Sequence, residues 1–401
     1  MTDAILVLNA GSSSLKFAVF KATPASPITI LRGKIARIGT DPIFSARDGN
    51  SRPLPQAALM QVAPGAGYET LIPALLDWLK SHDGGVTLAA VGHRVVHGGR
   101  NHIGPARVTD ALLADLAVLV PLAPLHQPHN LAAIRIVAAA LPDLLQVACF
   151  DTSFHRTQDR LAQLFALPRA MSDAGILRYG FHGLSYDYIA STLPTHLGDR
   201  AEGRVIVAHL GNGASMCALK HRRSVATSMG LTALDGLMMG SRCGALDPGV
   251  VLYLMQEKGM TLPDITQLLY KESGLLGVSG ISNDMAVLQA DPAPEAREAI
   301  DLFCYRAAGE LAALAAAIGG LDAIVFTAGI GENSALVRNC ICEQLGWMGV
   351  TLDAAANKRN AAHISARASA VDVLVIPTDE EFVIAQATQT LARSAVAQDA
   401  R

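Results

Sequence analysis

The fold is decided by two similar stretches of sequence, LVLNAGSSSLKFAVF (residues 6–20) and VIVAHLGNGASMCALK (residues 205–220). Each stretch consists of an apolar run, a turn of small polar residues and a second apolar run, which predicts two strands joined in a hairpin. The backbone N–H groups of such a turn can bind an anion, although an ordinary hairpin has the same pattern. Because one stretch lies in each half of the chain, we predict that the two halves share one architecture.

The rest of the chain alternates short β-branched runs with helical segments, which indicates an α/β fold. Further strands are predicted at residues 86–93, 144–151, 323–329 and 372–378. The clearest helices are predicted at residues 71–81, 110–120, 130–141 and 295–318. Because 401 residues exceed the size at which a single hydrophobic core usually stops growing, we expect two domains.

Composition argues against several classes of partner. A formal net charge of -3 shows no basic excess of the kind that binds nucleic acid or an anionic membrane. The longest uncharged apolar run, residues 311–321, is shorter than a membrane span, and the N-terminus MTDAILVLNAGSSS does not resemble a secretory signal. We therefore expect a soluble cytoplasmic protein without nucleic-acid or membrane partners.

A third glycine-rich segment, GIGENS (residues 329–334), lies between a predicted strand and a predicted helix, with Ser334 as the helix N-cap. The unpaired N–H groups and the dipole at a helix N-terminus both favour phosphate. The segment lacks the lysine of a Walker A loop and the spacing of a dinucleotide fingerprint. It predicts a nucleotide or phosphate site of another kind.

Two arginines lie in glycine-flanked loops, Arg94 in GHRVVHGG and Arg242 in GSRCGALDPG. Small neighbours allow a ligand to approach closely, and the guanidinium fork suits a carboxylate or a phosphoryl group. The alternative for each arginine is a solvated surface position.

Other polar residues lie at predicted element ends. Asp151 ends a strand, where α/β proteins place ligand-binding groups, and helix capping is its alternative role. His182 and His209 lie in glycine-flanked turns, although a single histidine is more often a packing residue.

The segment IPTDEEF contains a capping-box spacing, Thr378 to Glu381, which predicts a structural role for Glu381. Glu380 is then left to bind Mg²⁺ together with Asn9, through oxygen ligands or coordinated water.

Taken together, ten segments in chain order resemble the acetokinase family, the acetate kinases, within the actin, Hsp70 and sugar-kinase superfamily. The segments are NAGSSSLK, GHRVVHGG, LAPLH, FDTSFH, YGFHGLS, HLGNGAS, GSRCGALDPG, SGISND, FTAGIGENS and IPTDEE. The resemblance implies two domains of duplicated ribonuclease-H-like (actin-like ATPase) topology with an interdomain cleft. It implies an acyl and phosphate domain formed by residues 1–150 plus 380–401, a nucleotide domain formed by residues 151–379, and a homodimer.

The resemblance also implies roles for residues that match the family's motifs. Asp151, Arg242 and His182 correspond to catalytic residues, Arg94 to the acetate-binding arginine, and Asn9 and Glu380 to the magnesium contacts. The first phosphate loop comprises Ser12, Ser14 and Lys16, and the pocket for the methyl group comprises Val96, Leu125 and Phe181. The ATP site comprises His209, Leu210, Gly211, Asn212, Gly213, Asp284, Met285, Ala286, Gly329, Ile330, Gly331, Glu332 and Asn333.

The implied activity is reversible transfer of the γ-phosphoryl group of ATP to acetate, giving acetyl phosphate and ADP, with Mg²⁺ or Mn²⁺ as the metal and a place in acetyl-CoA biosynthesis. Two departures from the family pattern concern substrates. SNDMA replaces SNDFR, which puts Ala286 in place of an arginine near the nucleotide, and TALDG replaces TPLEG, which puts Ala233 in place of a proline and could admit propionate. The alternatives are a propionate or butyrate kinase, a sugar kinase, and a nucleotide-dependent chaperone or filament protein of the same superfold.

Overall fold

The structure, a computed structural model, describes residues 2–11, 13–54, 62–82 and 86–399. The chain forms two compact units: the first is Met1–Phe154 with Asp379–Arg401, and the second is His155–Thr378. The first unit therefore includes Asp151, whereas the boundary expected at residue 150 placed that aspartate in the second domain. Ser12, which we assigned to the first phosphate loop, lies outside the described residues.

The first unit contains a mixed sheet. Its strands are β1 (Thr2–Ala10), β2 (Ser14–Lys21), β3 (Ile28–Ala36), β4 (Ile43–Asp48), β5 (Val86–Val95), β6 (Ala106–Arg107) and β7 (Leu145–Phe150). Their spatial order within the described residues is β4-β3-β2-β1-β5-β7-β6. Strands β1 to β4 pair antiparallel, while β1, β5 and β7 run parallel, so the carboxyl ends of β1, β5 and β7 meet at one edge.

Three helices follow in this unit, α1 (Tyr68–Lys80), α2 (Asp110–Val118) and α3 (Gln127–Ala140). Helix α1 buries apolar residues at helical spacing against one face of the sheet, where the rings of Phe17, Phe44 and Trp78 pack together. The predicted helices at residues 71–81, 110–120 and 130–141 are thus present, with ends shifted by up to three residues.

The second unit contains the second sheet. Its strands are β8 (Arg204–Leu210), β9 (Ala214–Lys220), β10 (Arg223–Thr227), β11 (Ala323–Thr327) and β12 (Asp372–Val375). Its helices are α4 (Arg160–Gln163), α5 (Arg169–Asp173), α6 (Gly183–Leu197), α7 (Pro248–Gln256), α8 (Leu262–Lys271), α9 (Gly274–Ser279), α10 (Met285–Ala290), α11 (Pro294–Ala317), α12 (Ala328–Asn333), α13 (Ala335–Glu343) and α14 (Ala354–Lys358). The long helix α11 packs against β8, β9 and β10 through apolar residues repeated every three or four positions.

The two sheets repeat one topology. The order β10-β9-β8-β11-β12 matches the order β3-β2-β1-β5-β7, with three antiparallel strands followed by two parallel ones in each case. Both quoted stretches form the central hairpins, β1–β2 and β8–β9. The predicted α/β fold with duplicated topology is confirmed.

The C-terminal helix α15 (Glu380–Asp399) packs on β1, β5 and β7 of the first unit. Close packing depends on Gly92 of β5, because a Cβ there would lie 2.4 Å from Thr388 Oγ1. None of the described helices is both long and apolar enough to span a membrane.

The predicted capping box at the start of α15 is wrong. The side chain of Asp379, and not that of Thr378, accepts the N–H of Phe382 at 3.0 Å. The Thr378 N–H instead donates to Glu332 at 3.2 Å. Glu381 is therefore not part of a capping box with Thr378.

Candidate active site

The first unit brings Arg94 and Asp151 together at the carboxyl ends of two neighbouring parallel strands. Arg94 lies near the end of β5, and Asp151 directly follows β7. Asp151 Oδ2 accepts from Arg94 Nε at 3.0 Å and from Nη2 at 2.5 Å, a two-pronged contact that fixes the guanidinium plane. Burial opposes the charge of Arg94, but Asp151 and Glu380 outweigh it and raise the pKa of the guanidinium.

Asn9, at the end of β1, links this pair to the start of α15. Its Oδ1 accepts from Arg94 Nη1 at 3.1 Å, while its Nδ2 donates to Glu380 Oε2 at 3.2 Å and to Glu381 Oε1 at 3.5 Å. Burial raises the pKa of Glu381, Lys16 opposes this shift, and the nearby charge of Glu380 adds to it. The buried Glu380 and the half-buried Glu381 therefore lie close together, and Glu381 belongs to this cluster.

The donor set of this cluster fits magnesium. Carboxylate oxygens are the ligands that Mg²⁺ prefers, and a cation would offset the repulsion between Glu380 and Glu381. The amide oxygen of Asn9 faces Arg94 and its amide nitrogen faces Glu380, so Asn9 fits the role of orienting the carboxylate better than that of a direct ligand.

Gly11 and Ser14, which flank the turn expected to bind phosphate, are joined by contacts that the sequence motif did not indicate. The Gly11 N–H donates to the Ser14 carbonyl at 2.8 Å, and Tyr68 Oη donates to the carbonyls of Gly11 at 2.6 Å and Ser14 at 3.0 Å. Burial raises the pKa of Tyr68, which keeps its hydroxyl protonated as a donor. Lys16 is exposed on β2.

The three residues expected to surround the methyl group fall in both units. Val96 follows β5 and is buried in the first unit, where its N–H donates to Asn130 Oδ1 at 2.9 Å. Leu125 is half-buried just before α3. Phe181 is buried in the second unit, where its carbonyl accepts from His155 Nε2 at 3.0 Å.

The second unit brings Arg242 and His182 to the turn of the β8–β9 hairpin. A Cβ added to Gly213 would lie 3.3 Å from Arg242 Nη2 and 3.4 Å from His182 Nε2. Glycine at this position therefore leaves the space into which both side chains point. Arg242 is braced by its own loop, where Nη1 donates to the Ala233 carbonyl at 2.7 Å.

His182 adopts a left-handed backbone conformation, with φ of 58°, directly before α6. Its ring stacks on that of His209 at 4.2 Å between centroids. His182 Nδ1 lies 2.8 Å from Ser215 Oγ, and His209 Nδ1 lies 2.8 Å from Ser185 Oγ. Each ring is thus held by one serine hydroxyl.

A cavity of about 590 Å³ opens next to the same hairpin turn, a volume suited to a nucleotide. Its lining consists of the loop and helix ends that the sequence motifs identified, with three further residues. The lining residues are Gly211, Asn212, Asn283, Asp284, Met285, Ala286, Gln289, Gly329, Ile330, Asn333 and Ser334. Asn283, Gln289 and Ser334 were not among the expected ATP contacts, although Asn283 lies within the quoted SGISND segment.

Five of the residues expected in the ATP site do not line this cavity. They are His209, Leu210, Gly213, Gly331 and Glu332. Glu332 has a structural role, because its Oε1 accepts from the N–H of Ala328 at 2.8 Å and from that of Thr378 at 3.2 Å. It thereby accepts from the first N–H of α12, a six-residue helix directly before Ser334.

Ser334 itself caps α13 as predicted, accepting from the N–H of Val337 at 3.2 Å. Asp284 caps α10 in the same way, accepting from the N–H of Ala286 at 2.8 Å. Ala286 therefore presents a methyl group to the cavity at the position where the family pattern has an arginine.

Comparison with known proteins identifies the family. A sequence profile of the Acetokinase family matches residues 4–386. An acetate kinase of Rhodopseudomonas palustris (strain TIE-1) is 53% identical over 98% of this chain and 99% of its own length. Among solved structures, a propionate kinase from Francisella tularensis is 36% identical with a TM-score of 0.89, and an acetate kinase from Porphyromonas gingivalis is 35% identical with a TM-score of 0.85. Each alignment covers 97% of this chain and 99% of the solved one.

The chain belongs to the acetokinase family, and the resemblance that its motifs predicted is confirmed. It is accordingly a kinase.

Proposed function

We propose that this member of the acetokinase family acts in the cytoplasm as an enzyme that reversibly phosphorylates acetate with ATP, giving acetyl phosphate and ADP by direct in-line transfer. The observation that carries the proposal is the way Arg94 is held. Among the described residues, Asp151 and Asn9 accept from three of its five N–H donors, which leaves two donors for a ligand. A half-buried guanidinium that is held in one orientation, with its side chain 16% exposed, suits a small carboxylate.

Acetate needs no base to become a nucleophile, because a carboxylic acid with a pKa near that of an aspartate side chain, about 4, is ionised at neutral pH. Asp151 therefore serves to orient Arg94 and to balance its charge, as the two-pronged contact supports. This role separates the chain from a sugar kinase, in which an aspartate must remove a proton from a hydroxyl.

In the second unit, the cavity at the hairpin turn suits the nucleotide, and Arg242 with His182 suits the transferring phosphoryl group. Both side chains point to the space above Gly213, where their N–H groups could stabilise charge on phosphoryl oxygens. Little covalent chemistry is required of the protein in such a transfer, so positioning and electrostatics carry the catalysis.

Mg²⁺, when bound, would neutralise part of the phosphate charge. Glu380 and Glu381 are the residues that would hold it, directly or through water, with Asn9 orienting Glu380. The raised pKa of Glu381 is consistent with this assignment, because burial, its main cause, and the neighbouring Glu380 both disfavour the negative charge of Glu381, and a bound cation would offset them.

A second candidate substrate is propionate. Ala233 stands where the family pattern has a proline, and its carbonyl braces Arg242. A smaller side chain next to a reacting arginine leaves room for one more methylene, and such a group changes discrimination by only about 1–3 kcal/mol. The match to a propionate kinase from Francisella tularensis is consistent with this substrate.

We also propose a homodimer. Helix α7 buries none of its residues, and it exposes Val250, Leu252, Tyr253 and Met255. Apolar residues grouped on a helix surface are typical of a contact with another chain. Sedimentation of the purified protein as a monomer at micromolar concentration would contradict this proposal.

The decisive experiment traps acyl phosphate with hydroxylamine after incubating the chain with Mg-ATP and acetate, propionate or butyrate. We expect the highest kcat/KM with acetate, propionate within about a hundredfold of it, and no ATP consumption with a panel of sugars. Arg94→Lys keeps the positive charge but loses the paired N–H donors of the guanidinium. It should therefore raise KM for acetate much more than KM for ATP. Hydroxamate from none of the three acids, or ATP consumption only with a sugar, would overturn the proposal.

A further inference from the structure

A chain of hydrogen bonds runs from α6 through the β8–β9 hairpin to His182. Ser215 on β9 is the cross-strand partner of His209 on β8, so the hairpin register places its side chain beside the two stacked imidazoles. Ser215 Oγ lies 2.8 Å from His182 Nδ1 and also bonds to Tyr186 Oη. Ser215 and Tyr186 are both fully buried.

The order of donors along this chain follows from the chemistry of the groups. A phenol is a stronger acid than an alcohol, so its hydrogen is the better donor and the serine oxygen the better acceptor. With the Tyr186 hydrogen on Ser215 Oγ, the single hydrogen of Ser215 is directed to His182 Nδ1. An imidazole that accepts at Nδ1 carries its own hydrogen on Nε2.

We propose that Tyr186 and Ser215 are positioning residues that hold His182 as the neutral Nε2–H tautomer, so that Nε2 presents a hydrogen-bond donor beside Gly213 and Arg242. The identity of the acceptor as a phosphoryl oxygen rests on the proposed function. The tautomer itself is inferred from hydrogen bonds within the second unit.

The tautomer of His182 decides whether Nε2 attracts or repels an oxygen of a bound phosphoryl group. His182 Nε2 and Arg242 Nη2 each lie within 3.4 Å of the position that a Cβ on Gly213 would take. A donor at Nε2 would add to the arginine in stabilising an anionic oxygen placed there. The opposite tautomer would present a lone pair to that oxygen and oppose the arginine.

His209 supplies a matched control within the same cluster. Its Nδ1 contacts Ser185 Oγ at the 2.8 Å that separates His182 Nδ1 from Ser215 Oγ. Ser185 is also fully buried, and it lies on α6 next to Tyr186. Ser185→Ala therefore removes an equivalent hydroxyl from the same cluster and leaves Ser215, the partner of His182, in place.

Nitrogen-15 spectra of the full chain with labelled histidine measure the tautomer directly. The chain has 12 histidines, and His182→Gln identifies the pair of ring signals that belongs to His182. In the unaltered protein we expect Nε2 to carry the hydrogen and Nδ1 to be the bare nitrogen. Ser215→Ala should shift both signals toward the average of two tautomers, whereas Ser185→Ala should leave them unchanged.

Acyl phosphate formation gives the kinetic counterpart. Ser215→Ala should lower kcat about tenfold with KM for acetate and ATP within about twofold, because a transition-state interaction is lost while ground-state binding is kept. Tyr186→Phe should lower kcat about threefold, since Ser215 still contacts His182. The double variant should match Ser215→Ala alone, because the two residues act in series.

A hydrogen on Nδ1 of His182 in the unaltered protein would overturn the proposal, as would unchanged His182 signals in Ser215→Ala. If Ser215→Ala does not fold, the milder Tyr186→Phe must still move the His182 signals, and unchanged signals there contradict the relay. Expected tautomers in a protein that forms no acyl phosphate would leave the relay standing and refute the proposed function instead.

Discussion

The candidate sites of the two units consist of different kinds of residue. In the first unit, Arg94, Asp151 and the glutamates at the start of α15 form a buried network of full charges joined by Asn9. In the second unit, the cavity at the hairpin turn is lined largely by glycine, amide and small side chains, and Arg242 and His182 project beside it. One site depends on charge balance, and the other depends on space.

Because of this difference, substitutions should affect stability and activity differently at the two sites. Removing one member of a buried charge network leaves its partner uncompensated, which costs both stability and function. Adding atoms to a glycine-lined site displaces a ligand or a side chain while the fold survives. The following substitutions test this contrast, beginning with the largest expected effect.

Arg242→Ala should lower kcat for acyl phosphate formation by about 10³ or more, because it removes the guanidinium that we assign to the transferring phosphoryl group. Arg297→Ala is the control, since Arg297 forms an ion pair with Asp301 on the surface of α11 and is 59% exposed. Its activity should equal that of the unaltered chain. A loss below tenfold in Arg242→Ala would remove Arg242 from the proposed role.

Asp151→Asn should lower kcat/KM for acetate by about a hundredfold, because the neutral amide no longer fixes or balances Arg94. Chemical denaturation should also show a loss of about 3 kcal/mol in the free energy of unfolding, the cost of an uncompensated buried charge. Asp77→Asn, at a surface ion pair in the same unit, should change neither quantity measurably. Unaltered stability in Asp151→Asn would show that the contact with Arg94 is energetically unimportant.

Gly213→Ala should lower kcat about tenfold without lowering the melting temperature by more than a few degrees. The new methyl group would lie 3.3 Å from Arg242 Nη2 and 3.4 Å from His182 Nε2, so both side chains must move slightly. Gly309→Ala on α11 is the control, because among the described residues its methyl group would meet no atom of another element within 4 Å, and alanine favours a helix over glycine. Equal activity in the two variants would contradict the idea that the second site depends on space.

Glu381→Gln should have the smallest effect, a melting temperature raised by up to about 2 °C at pH 7. The raised pKa of Glu381 means that the folded chain holds this proton more tightly than the unfolded chain does. The folded chain therefore loses stability as pH rises from the ordinary glutamate pKa through the raised pKa of Glu381. Glutamine does not ionise, so the variant should not show this loss.

The gain in melting temperature from Glu381→Gln should vanish below the ordinary glutamate pKa, about 4, because the protonated glutamate is then as neutral as glutamine. Added Mg²⁺ should stabilise the unaltered chain more than the variant. Glu298→Gln, at an exposed position on α11, should leave the melting temperature at pH 7 unchanged within about 1 °C. A lowered melting temperature for Glu381→Gln at pH 7 would contradict the assignment of uncompensated charge.

Local pattern was sufficient for much of the fold. Strand β8 covers the first apolar run of the second quoted stretch, and Ser334 caps α13 as its position before the predicted helix indicated. The strands that were missed, β3, β4, β6 and β10, are short or interrupted by charged residues and glycine. They are stabilised by pairing with neighbours rather than by a strong pattern of their own.

At two glutamates, the structure shows contacts that spacing along the chain did not predict. The capping-box spacing favoured Thr378, but the chain path into α15 gives the cap to Asp379 and places Glu381 beside Asn9. Glu332 matched a nucleotide motif, yet its carboxylate turns back to the N–H groups of Ala328 and Thr378. Spacing along the chain cannot decide between two adjacent donors or acceptors when a distant segment supplies the partner.

The amino-acid sequence by itself determined the two hairpins, the duplicated topology and the residue types that handle anions, because these depend on periodicity and turn chemistry over a few neighbouring positions. Only the tertiary structure decided which of these residues form hydrogen bonds with one another. The pairs are Asp151 with Arg94, Asn9 with Glu380, and Ser215 with both Tyr186 and His182. Hydrogen bonds require distances near 3 Å, and for residues far apart in the chain that precision is set by sheet register and helix packing.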